Sequence, residues 1–84
     1  ENQFKVFWNK TDNVDKYMIH IYDLSNPNSK VRILQIDPSE LNKDVNEHSY
    51  HIKDLEKNKN YSLSIFALNR YGMSPCSNTI NIKL

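Results

Sequence analysis

Glycine is nearly absent from this chain, with one residue in 84, and cysteine appears once. A single glycine excludes the glycine-rich loops that cradle phosphates, because such loops need several backbone positions that side chains cannot occupy. The lone thiol, Cys76, excludes an internal disulfide, so packing alone must hold the fold. No apolar run approaches the ~20 residues that a membrane-spanning helix needs. Charge of one sign does not accumulate either: eleven basic and ten acidic residues are interspersed for a net charge of +1. That balance leaves no basic stripe for a phosphate backbone or an anionic lipid surface, which argues against nucleic-acid binding and direct membrane insertion. No secretion signal is visible, and a chain opening on Glu1 reads as part of a longer protein, whose remainder can carry such elements.

What is present suits a small β-domain. Residues 1–84 make one domain, near the lower size at which a single core offsets chain entropy. Five Tyr, three Phe and one Trp supply much of that core. Tyr61, Leu63, Ile65 and Ala67 alternate strictly, which is the period of a strand with one face buried. Phe4, Val6 and Trp8 share one parity on a first strand, and Tyr17, Ile19 and Ile21 share one on a second. Turn chemistry at Thr11-Asp12-Asn13 separates these two, and Ser25-Asn26-Pro27-Asn28 follows the second. Val31–Ile36 reads as a further strand of undecided parity, closed by Asp37-Pro38. Ser39–Glu47 is expected to be a loop, although the preceding proline also suits a short helical turn. Tyr50, Ile52 and Leu55 mark the next strand, Lys57–Asn60 a turn, and Ile80, Ile82 and Leu84 the inward side of the last strand.

The run from Leu55 through Tyr61, Asn69 and Gly72 to Ser77, together with Trp8 and Tyr17 upstream, closely resembles a fibronectin type III domain over nearly the whole chain. The resemblance implies an all-β, Greek-key β-sandwich of the immunoglobulin-like kind, with strands B, C, C′, E, F and G visible. Only seven residues precede Trp8, so strand A is missing or very short. Either the chain begins beyond it, or strand B keeps an open edge able to pair with a strand from a partner. Trp8, Tyr17, Leu55, Tyr61 and Leu63 are expected in the core, with the Tyr61 hydroxyl bonded to backbone near Leu55 as a tyrosine corner. Gly72 is expected in the F–G turn at positive φ, and Cys76 as a half-buried residue opening the last strand.

Function is expected to lie on surfaces. If Tyr17, Ile19 and Ile21 face inward, then Met18, His20 and Tyr22 face out, as do Phe66 and Leu68 on strand F. In the fibronectin-like arrangement C and F are neighbours, so these side chains merge into one apolar patch with His20, Arg32 and Arg70 as polar neighbours. Arg70 and Tyr71 project from the F–G turn as a second candidate, without the Arg-Gly-Asp tripeptide that some family members display there. Catalysis finds no support. His48 and His51 fall on opposite faces of one strand, and no nucleophile and base are spaced for activation. No cofactor or metal is expected. The resemblance implies a non-catalytic protein-interaction or spacer module of a multidomain receptor, adhesion or secreted protein, binding a protein partner. The alternatives are an intracellular scaffold domain, which the unpaired Cys76 favours, and an accessory domain of a carbohydrate-active enzyme. Twelve asparagines make the acceptor patterns at Asn9 and Asn60 expected by chance.

Overall fold

The computed structural model describes residues 2–26, 28, 30–42, 44–76 and 79–84, with only the backbone of residues 2 and 3. Ser77 and the turn residue Pro27 lie outside the described residues. Seven strands follow in order: β1 (Asn2–Asn9), β2 (Lys16–Asp23), β3 (Arg32–Ile36), β4 (Glu47–Leu55), β5 (Asn60–Asn69), β6 (Gly72–Pro75) and β7 (Ile80–Lys83). β1 and β4 form one antiparallel sheet. The other has the order β3-β2-β5-β6, with β7 also on β5. Strand C′ is therefore β3, strand E is β4, and no strand among the described residues occupies the place of strand A beside β1.

Alternation builds the core directly. Tyr17, Ile19, Ile21, Leu63, Ile65 and Ala67 from the larger sheet meet Val6, Trp8, Ile52 and Leu55 from the smaller one, all buried. Trp8 sits 5.3 Å from the Tyr17 ring and 5.8 Å from His48, and the Tyr17 and His48 rings lie 5.5 Å apart. The register also settles β3: Ile36 pairs with Tyr17 and Arg32 with Ile21, so Arg32, Leu34 and Ile36 face inward.

Ile52 and Leu55 are three apart yet both buried, which a regular strand forbids. A bulge resolves it: Asn2 pairs with Leu55 but Phe4 with Ile52, so β4 spends one extra residue. Asp54 sits in the left-handed region there, at φ 65°. Asn13 and Asn58 do likewise, at 59° and 62°. Asparagine and aspartate are the side chains that tolerate this region best, so they take positions that glycine fills in richer sequences. Their side chains also make local turns: Asp23, Asp37, Asn42 and Asn69 each accept from the backbone N–H two residues on, at 2.8–2.9 Å.

Two expectations need correction. The stretch after Asp37 holds a 3-10 turn, Pro38–Glu40, closed by a capping box in which the Asp37 N–H donates to Glu40 Oε2 at 3.1 Å. The last strand is two pieces, because β6 pairs with one half of β5 and β7 with the other. Cys76 thus lies between them rather than opening the last strand, with its N–H donating to the Ile65 carbonyl at 2.8 Å. It is half-buried as expected, and burial pushes its thiol pKa up, which suits packing and not nucleophilic chemistry.

Candidate interaction surface

The β2–β5 register brings the outward residues together. Met18 stands directly opposite Phe66, His20 opposite Ser64, Tyr22 opposite Ser62, and Lys16 opposite Leu68. His20 and Phe66 meet diagonally, with ring centroids 4.9 Å apart and planes tilted by 49°. Beyond β5, Leu68 pairs with Met73 and Phe66 with Pro75; beyond β2, Ile33 pairs with His20. The result is a continuous apolar band across four strands. Tyr22, Ile33 and Met73 are exposed, while Met18, His20, Phe66 and Leu68 are half-buried by their neighbours. Alternation exposed the β2 and β5 members in the sequence. Ile33 and Met73 escaped notice because the parity of β3 was undecided and β6 was unrecognised.

Arg32 does not belong to this band. It faces the other way, and its Nη1 donates to the Lys53 carbonyl at 2.9 Å, at the β4 bulge. That bond ties β3 to β4 across the two sheets. Arg70 and Tyr71 are also separate from the band: they form the two-residue turn between β5 and β6, since Asn69 pairs with Gly72. The Arg70 guanidinium lies 5.0 Å from the Tyr71 ring centre, and Tyr71 is 83% exposed. Together with Asp12, Asn13, Val14, Asp15 and Asn69 they line a shallow groove at one end of the sandwich. Gly72 opens β6 at φ 129° rather than occupying the turn itself.

The remaining candidates are structural. The Tyr61 hydroxyl accepts from the Glu56 N–H at 2.9 Å, next to Leu55, as the tyrosine corner requires. Lys59 braces the same corner, 2.9 Å from Glu56 and 3.1 Å from Asp23, and both bonds hold its pKa above the ordinary lysine value. His48 was missed as a core residue. It is 5% exposed, the one buried polar residue among those described, and its Nδ1 has no partner there. Burial pushes its pKa below the ordinary histidine value, with the Lys10 charge adding to the effect. His51 is exposed on the opposite face. Among the described residues, no group of three or more His, Cys, Asp or Glu is placed to hold a metal.

Two facing antiparallel sheets, a tryptophan between them and a tyrosine corner define an immunoglobulin-like sandwich. The fibronectin type III domain model matches residues 1–83, and the chain belongs to that family. Members are commonly protein-interaction or spacer modules of multidomain proteins and are generally non-catalytic. The fold is similar to the crystal structure of the chicken CNTN1 FN1-FN3 domains, with a TM-score of 0.71 at 24% identity, covering 95% of this chain and 25% of that one. It is also similar to a solved myokine structure, with a TM-score of 0.69 at 24% identity, covering 98% and 81% respectively. The chain thus spans about a quarter of the length of the CNTN1 structure. No curated protein matches it.

Proposed function

We propose that residues 1–84 form one non-catalytic recognition domain of a larger receptor, adhesion or secreted protein, binding a protein partner through the outward band of the larger sheet. The observation that carries this reading is the pairing of Met18 with Phe66, flanked by Leu68–Met73 and Ile33–His20. Apolar and aromatic side chains collected on an outward face, with Lys16 and Ser64 as polar neighbours, have the composition of a binding surface. Arg70 and Tyr71 form a second, smaller contact at the sandwich end. Recognition here is passive: strand pairing has already fixed the side chains, so little ordering entropy opposes binding. The outer edge of β1, beside which no strand lies among the described residues, offers a different mode, addition of an extended strand from a partner.

Capture experiments compare wild type with Tyr22→Ala plus Phe66→Ala, after both are shown to melt alike. Loss of a specific partner in the double variant is expected. Capture of every ligand at wild-type levels refutes the band as the binding surface.

A further inference from the structure

Number alone makes an Asn-x-Ser/Thr match unsurprising in this chain, but the fold places its two matches, Asn9-Lys10-Thr11 and Asn60-Tyr61-Ser62, in opposite circumstances. Asn60–Ser62 lies within β5, which is paired on both sides, with Ser62 opposite Tyr22 of β2 and Asn81 of β7. Tyr61 between them is buried and Ser62 is half-buried. Because Tyr61 faces inward, Asn60 and Ser62 face outward, and a bulky group on Asn60 would stand on the same sheet face as the apolar band.

Asn9 ends β1, and Lys10 and Thr11 continue into the loop beyond it; all three are exposed. Among the described residues no hydrogen bond engages the Asn9 carboxamide, and the Thr11 hydroxyl lies 3.5 Å from the Asn9 carbonyl, within the acceptor tripeptide itself. Lys5, Phe7 and Asn9 share the outward row of β1, opposite His51, Ser49 and Glu47. Phe7 is therefore the same-face neighbour of Asn9, about 7 Å away along the strand. Ser49 is too small to cover it from across the ladder, and the Phe7 side chain stays 49% exposed even with Lys5 Nζ 5.5 Å from its ring centre. An exposed phenylalanine ring beside an unengaged carboxamide adds nothing to the core, whereas the C–H face of a sugar packs well on such a ring.

Resting on the reading of the chain as part of a receptor, adhesion or secreted protein, we propose that Asn9 carries an N-linked glycan whose first sugar lies on the Phe7 ring, while Asn60 stays unmodified. The donor is a lipid-linked diphospho-oligosaccharide. Asn9 Nδ2 attacks C1 of its first N-acetylglucosamine: the C–N bond forms as the C1–O bond breaks, the lipid diphosphate leaves with that electron pair, and Nδ2 gives up one proton to a base of the transferase. The glycan occupies the outer face of the β1–β4 sheet, on the opposite side of the sandwich from Met18 and Phe66. Recognition through the band proceeds with it in place.

The test is secretion of the 84-residue chain from cultured eukaryotic cells behind an added signal peptide, followed by enzymatic release of N-glycans and mass mapping of the released site. A single glycan at Asn9 is expected. Asn9→Gln and Thr11→Ala are expected to abolish it, Thr11→Ser to restore it because the acceptor pattern needs only the hydroxyl, and Asn60→Gln to leave it unchanged. Thermal melts establish that each variant folds. With the glycan trimmed to its first sugar, NMR is expected to show sugar C–H protons shifted by the Phe7 ring, and the shift to vanish in Phe7→Ser. A secreted chain bare at Asn9, a glycan at Asn60, or a first sugar unaffected by Phe7 would each overturn the proposal, and capture through the band would be untouched. Protease protection of the natural protein in sealed microsomes reads the compartment separately. Digestion there sinks the secretory reading and the modification with it, whereas protection with Asn9 bare sinks the modification alone.

Discussion

Tyr61→Phe isolates one hydrogen bond in the corner between β4 and β5. The ring is buried, and its hydroxyl accepts from the Glu56 N–H at 2.9 Å; phenylalanine keeps the ring and deletes that acceptor. A net contribution of about 1 kcal/mol is typical of such a bond, with more at stake when the abandoned N–H is shielded from water. Glu56 is exposed, so solvent can recover part of the loss, which places the cost near 1 kcal/mol rather than near 3. For a domain of this length that lowers Tm by roughly 4–8 °C. Thermal and urea melts followed by Trp8 fluorescence measure it, and an unchanged urea slope shows that the denatured state is the same. A wild-type Tm in the variant would show that the corner bond contributes nothing and that ring packing alone sets the turn.

Other consequences follow from the same geometry. Trp8→Ala empties the centre of the Tyr17–His48 cluster and should cost about 3–5 kcal/mol, close to the whole stability of a small domain, read from the urea midpoint. Burial lowers the His48 pKa, so the unfolded chain takes up its proton more readily than the folded one. Stability is then full above pH ~6.5 and declines as pH falls below it. The Tm difference between His48→Phe and wild type should shift in the variant's favour over that interval, and a constant difference from neutral to mildly acidic pH would contradict this. Gly72→Ala meets no atom within 4 Å, so its cost is backbone strain at φ 129°, about 1–3 kcal/mol by thermal melt.

Much of the fold was legible because its residues obey one period. Tyr61, Leu63, Ile65 and Ala67 could face only one way, and the inward set on β2 followed from the same rule. Leu55 became interpretable only with the bulge, since Asp54 at positive φ breaks the count that the alternation depends on. Composition alone assigns the twelve asparagines no structural task. In the fold, Asn13 and Asn58 hold left-handed turn positions in a chain with one glycine. His48 shares the parity of Ile52, so alternation pointed it inward, but a histidine is not an expected core residue; the facing sheet places it against Trp8 and Tyr17. The outward band was half legible. Met18, His20, Phe66 and Leu68 followed from parity, whereas Arg32 was misplaced because its strand is too short for parity to be read without its partner.

The most direct test of the recognition surface is amide-resolved NMR of the labelled domain, titrated with a protein partner obtained by capture. Shift changes centred on Met18, His20, Ile33, Phe66 and Leu68 are expected. Changes confined to Phe7, Ser49 and His51, on the outer face of the β1–β4 sheet, would contradict the account.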